Sequence, residues 1–181
     1  KARRFSERCT MKRMTYLKRL RELIPTYGSE NIVYVDESGF KKHAYRMEAW
    51  TKRGKKVYGD VSGNNRKSTN LIMAWRRKKW LAPETFEGSC NAQKFMEWLT
   101  GKLLPTLDKP SIIVMDNAAF HKKVEIFECL KNAGHFFLPL PPYSPDFNPI
   151  EKAFGTLKKI RQSNPNDPII NIIKSSDYYL K

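Results

Sequence analysis

Hydrophobic side chains recur at Met11, Met14, Leu17 and Leu20, with Lys12, Arg13, Lys18 and Arg19 between them. This spacing predicts an amphipathic helix that ends at Pro25. The run Asn31-Ile-Val-Tyr-Val35 is rich in β-branched residues and predicts a short strand, closed by the turn-like Asp36-Glu-Ser-Gly39. Residues 44–50 and 55–58 read as further strands on either side of a turn at Lys52-Arg53-Gly54, with 62–65 as a loop. Asn70–Trp75 is another apolar strand. Asn91 is placed to cap a helix carrying Phe95, Met96, Leu99 and Leu103 and ended by Pro105. Ser111–Met115 is a near-continuous apolar run, as in a strand covered on both faces. A helix with Val124, Phe127 and Leu130 then stops at Gly134, and His135–Leu138 reads as a strand.

Residues 139–149 carry five prolines and cannot form regular structure. Beyond them Asn148 is expected as a cap and Pro149 as the first helical residue of a helix through Phe154, Leu157 and Lys158 towards Ile160. Residues 163–168 break that helix, and a small terminal helix follows. Consecutive hairpin-like strands come first and strand–helix alternation later. That order predicts an α/β fold: a mixed sheet with an antiparallel strand meander and helices on both faces. The organisation expected is a basic helical linker or extension over 1–29, a single domain over 30–164 and a helical tail over 165–181.

Charge changes this picture from a fold to a binder. The 181 residues carry 34 Lys and Arg against 18 Asp and Glu, a net charge of +16. Residues 1–22 and 41–79 together hold 22 of the basic side chains and four of the acidic ones, so the remainder is slightly acidic. Segregation of this kind points to a polyanion, nucleic acid first. Lys52, Arg53, Lys55, Lys56, Arg66, Lys67, Arg76, Arg77, Lys78 and Lys79 are the expected DNA contacts. The apolar runs fall far short of the ~18 residues a membrane span needs, and no signal-peptide core opens the chain. Cys9, Cys90 and Cys129 are too far apart for a zinc motif and read as free thiols. Trp50, Trp75, Trp80 and Trp98 read as core or sheet residues, and His43 and His135 as structural.

Two strands end alike, each an apolar run followed by aspartate: Ile32–Asp36 and Ile112–Asp116. Residues just beyond strand ends converge on the ligand site of an α/β sheet. Two carboxylates held there would repel each other unless a divalent cation lay between them, and hard oxygen ligands suit Mg²⁺ or Mn²⁺. A third acid, Glu151, opens the helix after the proline-rich segment. Its spacing from Asn148 equally fits a capping box, and local sequence leaves the two roles open. His121, at a helix start, could meet a phosphate or lie on the surface. Tyr143, Ser144 and Asn148 could shape a site, touch DNA or merely form the turn.

The segments Val35-Asp36-Glu37-Ser38-Gly39, Met115-Asp116-Asn117-Ala118 with His121, and Pro141-Pro-Tyr-Ser-Pro-Asp-Phe-Asn-Pro-Ile-Glu151 resemble the mariner-superfamily DDE transposases, with the bacterial insertion-sequence branch the most similar. Thirty-four residues separate Asp116 from Glu151 and 79 separate Asp36 from Asp116, spacings compatible with that superfamily. The resemblance covers about residues 30–160. It implies an RNase H-like fold, and Asp36, Asp116 and Glu151 as catalytic residues holding two Mg²⁺ (or Mn²⁺) ions. It places Asn117, His121 and Asn148 at the border of the active site.

The function expected is metal-dependent DNA cleavage at transposon ends, with strand transfer of the freed 3′-OH into target DNA. Double-stranded DNA is then the partner, and a second copy of the chain a candidate one. The location would be the cytoplasm and nucleoid of a bacterium, or the nucleus of a eukaryote. Two alternatives stand beside this reading: an RNase H-like nuclease or resolvase that never transfers a strand, and a non-catalytic DNA-binding domain derived from a transposase. A chain opening on Lys1 is expected to lack an upstream segment, where the resemblance would put helix-turn-helix modules, with 1–29 as the linker.

Overall fold

The computed structural model describes residues 6–41, 49–59, 68–116, 123–165 and 167–175. The expected loop at 62–65, most of the expected strand at 44–50, and His43, Arg66, Lys67, Asn117 and His121 lie outside them.

Five strands, β1 (Ile32–Lys41), β2 (Ser68–Arg76), β3 (Lys79–Phe86), β4 (Ile112–Met115) and β5 (Phe136–Pro139), form one sheet in the order β3-β2-β1-β4-β5. β1, β2 and β3 pair antiparallel, while β4 lies parallel to β1 and β5 parallel to β4. Against this sheet pack α1 (Thr10–Tyr27), α2 (Ala92–Trp98), α3 (Lys123–Asn132), α4 (Ile150–Ser163) and α5 (Ile169–Lys174). On one face Val33, Val35, Ile72, Ala74 and Leu81 meet Phe95 and Trp98 of α2 and Ile126 and Leu130 of α3. On the other, Phe40, Leu71, Met73 and Trp80 meet α4 and α5 through Phe154, Leu157, Ile169 and Ile173. Ile112, Val114 and Leu138 are covered by Tyr16 and Leu23 of α1. All four residues of β4 are buried, as the apolar run requires of a strand covered on both sides. The mixed sheet with helices on both faces is thus the expected architecture. No helix among the described residues is long and apolar enough to cross a membrane.

Several local expectations are corrected. β1 does not close at Asp36; it runs on to Lys41, because β2 pairs with it from Tyr34 to Lys41 and the ladder outweighs a turn-like composition. The sequence offered no sign of β3. Its hairpin turns on Arg77-Lys78, with φ of 52° and 64° at residues where glycine or asparagine is the usual signal. Residues 55–58 form no strand, although the turn before them is present, with the Lys55 N–H donating to the Lys52 carbonyl at 3.0 Å. α1 passes through Pro25 to Tyr27 and stops at Gly28, where φ is 85° and the N–H donates to Ile24 O. A proline one turn from the end forfeits a single ladder bond, and Tyr27 packs against Phe136 beyond it.

The inward face of α1 is Tyr16, Leu17, Leu20, Leu23 and Tyr27, while Met11 and Met14 are exposed. In α3 the inward residues are Ile126 and Leu130; Val124 and Phe127 face outward. Trp80 and Trp98 are buried and Trp75 half-buried, but Trp50 is fully exposed. His135 is structural, its Nδ1 accepting the Ser111 N–H at 3.1 Å, and the three cysteines are free thiols.

Candidate active site

Val35 and Met115 form the last paired rung between β1 and β4. The next residues on the two strands are Asp36 and Asp116. They occupy equivalent positions on neighbouring parallel strands, which lie ~4.8 Å apart, and alternation turns both towards the α1–α4 side. The proline-rich segment closes over this end of the sheet, where the Leu140 N–H continues the β5 ladder to Met115 O at 2.8 Å. A cavity of about 580 Å³ results, lined by Asp36, Asp116, Pro142, Tyr143, Ser144, Asn148 and Glu151. All three candidate carboxylates therefore face one space.

Asn148 is not the helix cap. α4 begins at Ile150 with Pro149 in the cap position, and no side chain caps it. Asn148 is instead buried, and its Nδ2 donates to Asp36 Oδ2 at 3.1 Å. Its own N–H is taken by Pro145 O at 2.9 Å, so the returning bond of a capping box has no free donor to accept. The capping role for Glu151, open in the sequence, is closed here.

Burial pushes the Asp36 carboxyl up to about 7, with the charges of Asp116 and Glu151 adding to it. The Glu37 N–H, donating to Asp36 Oδ1 at 2.8 Å, works in the opposite direction. Asn148 Oδ1 is also buried and has no hydrogen-bond partner. Carboxylates with a neutral amide oxygen beside them are the donor types hard divalent cations take. Among the described residues no three acidic, His or Cys side chains are already gathered round one point, so these donors line a common cavity without forming a closed cage.

Glu37 went unnoticed in the sequence because Asp36–Gly39 reads as a turn. As a strand residue it points to the opposite face, where a smaller cavity of about 180 Å³ is lined by Asp36, Glu37, Phe95 and Asp116. Burial raises its carboxyl, as does the charge of Asp116. The neighbouring Cys90 thiol is pushed up to about 12 by burial and the Glu37 charge, which keeps it protonated.

Arg13 was also missed. Its guanidinium donates through Nη1 and Nη2 to the two carboxylate oxygens of Asp146, at 2.9 and 2.7 Å, and lies 3.8 Å from the centre of the Phe147 ring. Tyr16 stacks on the same ring at 5.5 Å. α1 thereby pins the loop that carries Asn148. Arg13→Ala is expected to cost about 1 kcal/mol and lower the melting temperature by roughly 2–4 °C, with Arg13→Lys recovering only part because an ammonium lacks the fork. Equal melting of wild type and Arg13→Lys would show that the bidentate geometry contributes nothing.

The basic side chains are dispersed. Lys52, Arg53, Lys55 and Lys56 lie on an exposed stretch without regular structure. Arg76 is tied to Asp108 at 3.0 Å, Arg77 and Lys78 form the β2–β3 turn, and Lys79 opens β3.

Mos1 transposase shares this fold. The chain matches a Mos1 paired-end complex with left transposon end at a TM-score of 0.74 and 18% identity, covering 98% of this chain and 60% of that one. It matches the Mos1 mariner transposase catalytic domain at 0.64 and 16%, covering 97% and 85%. For the Mos1 strand transfer complex the values are 0.66 and 20%, covering 86% and 51%, so the chain spans about half the length of that protein. The architecture is RNase H-like in all of them. No curated protein sequence matches the chain. The family model for the DDE superfamily endonuclease matches residues 31–169, which take in both strand-end aspartates, the proline-rich loop and Glu151. The chain belongs to the DDE superfamily of endonucleases.

Proposed function

We propose that this chain is the catalytic domain of a DNA transposase, with Asp36, Asp116 and Glu151 as its metal-binding acids. One observation carries the reading: two aspartates, each one residue past the last paired rung of adjacent parallel strands, share a cavity with a glutamate that has no capping role. Asp36 lies on the central strand and Asp116 just past the end of its neighbour, and Glu151 faces the same cavity from the first turn of α4. The three acids would hold Mg²⁺ or Mn²⁺, two ions in all, which would supply Lewis acidity and charge neutralisation at the phosphodiester.

The chain's own residues do the rest. Asn148 orients Asp36 through its Nδ2. Asp36 must arrive as a carboxylate, and its raised proton affinity means that cation and proton compete for it. Asn117 and His121 are proposed to border this cavity. No protein nucleophile is required, since water and then a DNA 3′-OH can serve. One of the similar Mos1 structures is a strand transfer complex, and two others are paired-end complexes with Mn and with Mg. These support, for this chain, DNA joining in preference to hydrolysis alone. Double-stranded DNA would lie along the basic residues of the 49–59 stretch and the β2–β3 turn, and a second copy of the chain is the proposed assembly partner.

The test combines supercoiled plasmid with a labelled duplex bearing a free 3′-OH, in Mg²⁺ and in EDTA. Nicking and label joined to plasmid in Mg²⁺ alone is the expected result. Nicking without joining would favour the nuclease reading, and undiminished nicking in EDTA would overturn metal-dependent catalysis.

A further inference from the structure

α1 lies ahead of residues 31–169, the stretch that the family model takes in, yet it grips the loop that closes over the acids. Five of the eleven residues 139–149 in that loop are proline and have no N–H to donate. Such a segment makes few backbone bonds of its own, so side chains from neighbouring elements decide where it sits. Within it the short turn Pro145–Phe147 closes on itself, the Phe147 N–H donating to Ser144 O at 3.0 Å and the Asn148 N–H to Pro145 O at 2.9 Å. Asn148 therefore moves with this turn as one unit.

Two residues one helical turn apart on α1 hold that unit. The Arg13 fork meets both carboxylate oxygens of Asp146, and the Arg13 side chain is only 15% exposed, against 59% for Asp146. The guanidinium keeps the Asp146 carboxyl below the ordinary carboxylate range, so the pair stays ionised at neutral pH. A two-pronged charged pair fixes orientation as well as distance. The same guanidinium lies against the Phe147 ring, and Tyr16 stacks on that ring with the planes 18° apart. The next residue is Asn148, whose Nδ2 reaches Asp36 Oδ2. Contacts thus run unbroken from Arg13 through Asp146 and Phe147 to Asn148 and the carboxylate of Asp36.

We propose that Arg13 is a positioning residue of the metal site, setting its affinity for a divalent cation by fixing the turn whose amide orients Asp36. The inference rests on the reading of Asp36 as a metal-binding acid and extends that site to a helix that supplies none of its donors. A carboxylate already held in one orientation binds a cation without first having to be ordered. Groups that hydrogen-bond a metal ligand commonly change affinity 10–100-fold for this reason. Arg13 acts one contact further out, so the lower end of that range, about tenfold, is the effect expected.

Calorimetric titration of Mn²⁺ into the metal-stripped protein, without DNA, reads this affinity apart from any catalysis. Arg13→Ala is expected to bind Mn²⁺ about tenfold more weakly. Arg13→Lys should fall between it and wild type, since an ammonium keeps the charge and lacks the fork. Arg19→Ala separates positioning from lost stability: it removes an ion pair to Glu22 and a ring contact with Phe136 on the same helix, away from the turn, and should bind Mn²⁺ as wild type does. The decisive comparison is made in an Asn148→Ala background, where Arg13→Ala should add nothing, because its route to Asp36 runs through Asn148. Wild-type affinity in Arg13→Ala, an equal loss in Arg19→Ala, or a further tenfold loss in the Asn148→Ala background would each overturn the proposal. If the wild-type protein takes up no Mn²⁺, the metal reading and this inference fall together. If it binds Mn²⁺ and Arg13→Ala binds it equally well, the inference falls and the transposase reading stands.

Discussion

Asp36→Asn is expected to abolish DNA cleavage and, in the absence of metal, to make the protein more stable. Asp36 is a buried carboxylate facing Asp116 and Glu151, with its carboxyl pushed up to about 7 from the ordinary 3.8. The folded state therefore binds a proton more tightly than the unfolded chain. Between pH 4 and 7 the stability of the metal-free protein falls as pH rises, and above 7 the penalty is complete. Its size is on the order of 2–4 kcal/mol.

Asparagine removes the charge at nearly constant volume. It keeps the Glu37 N–H bond through its oxygen, and its NH₂ can donate to Asn148 Oδ1 once that carboxamide turns over. Melting curves in EDTA at pH 8 should place the variant several degrees above wild type, with the gap closing towards pH 4. Saturating Mg²⁺ should reverse the order by stabilising wild type alone. A variant that melts below wild type at pH 8 in EDTA would show that Asp36 is not a repelled, buried carboxylate.

Glu151→Gln is expected to separate catalysis from folding just as sharply, but with stability nearly unchanged. Glutamine replaces glutamate well in a capping box, yet no such box exists here, because the Asn148 N–H is bound to Pro145 O. What remains is the interaction of the charge with the helix dipole, at most about 1 kcal/mol on an exposed surface. As a metal ligand the amide lacks the full negative charge. Loss of even an outer-shell partner commonly costs 10–100-fold, so loss of a direct ligand is expected to cost on the order of a hundredfold or more. DNA binding should persist, since neither the exposed basic stretch nor the β2–β3 turn is touched. Cleavage at the wild-type rate would exclude Glu151 from the site.

Sequence reading succeeds where the pattern is local. An apolar run ending in aspartate is a local pattern, and it recurs at Asp36 and Asp116; at Asp116 it follows the end of β4, whereas β1 runs on past Asp36 to Lys41. Five prolines in eleven residues force an irregular loop wherever they occur. The all-apolar β4 announces burial on both faces, and Gly134, at φ 81°, announces the end of α3. Each of these depends on backbone sterics or on a period of two or about four residues.

The misreadings share the opposite cause. Asp36–Gly39 has turn-forming side chains, but β2, thirty residues away in sequence, supplies the ladder that keeps it extended. β3 was invisible because its turn uses Arg77 and Lys78, whose positive φ is sustained by the pairing on either side. Met11 and Met14 continue the helical period of α1, yet the sheet meets that helix only from Tyr16 onward.

By itself, then, the sequence determined the α/β order of elements, the basic character of the chain, and the three acids with their spacing, because composition, periodicity and turn chemistry are properties of neighbouring residues. Only the tertiary structure decided that Asn148 turns from α4 to Asp36, that Arg13 clasps Asp146 across 133 residues, and that Glu151 opens a helix with no capping bond to make. Local propensity leaves each of these side chains two comparable partners, one nearby and one distant. Burial against the sheet selects the distant one, since a polar group removed from water must bond to whatever the packed chain places within reach.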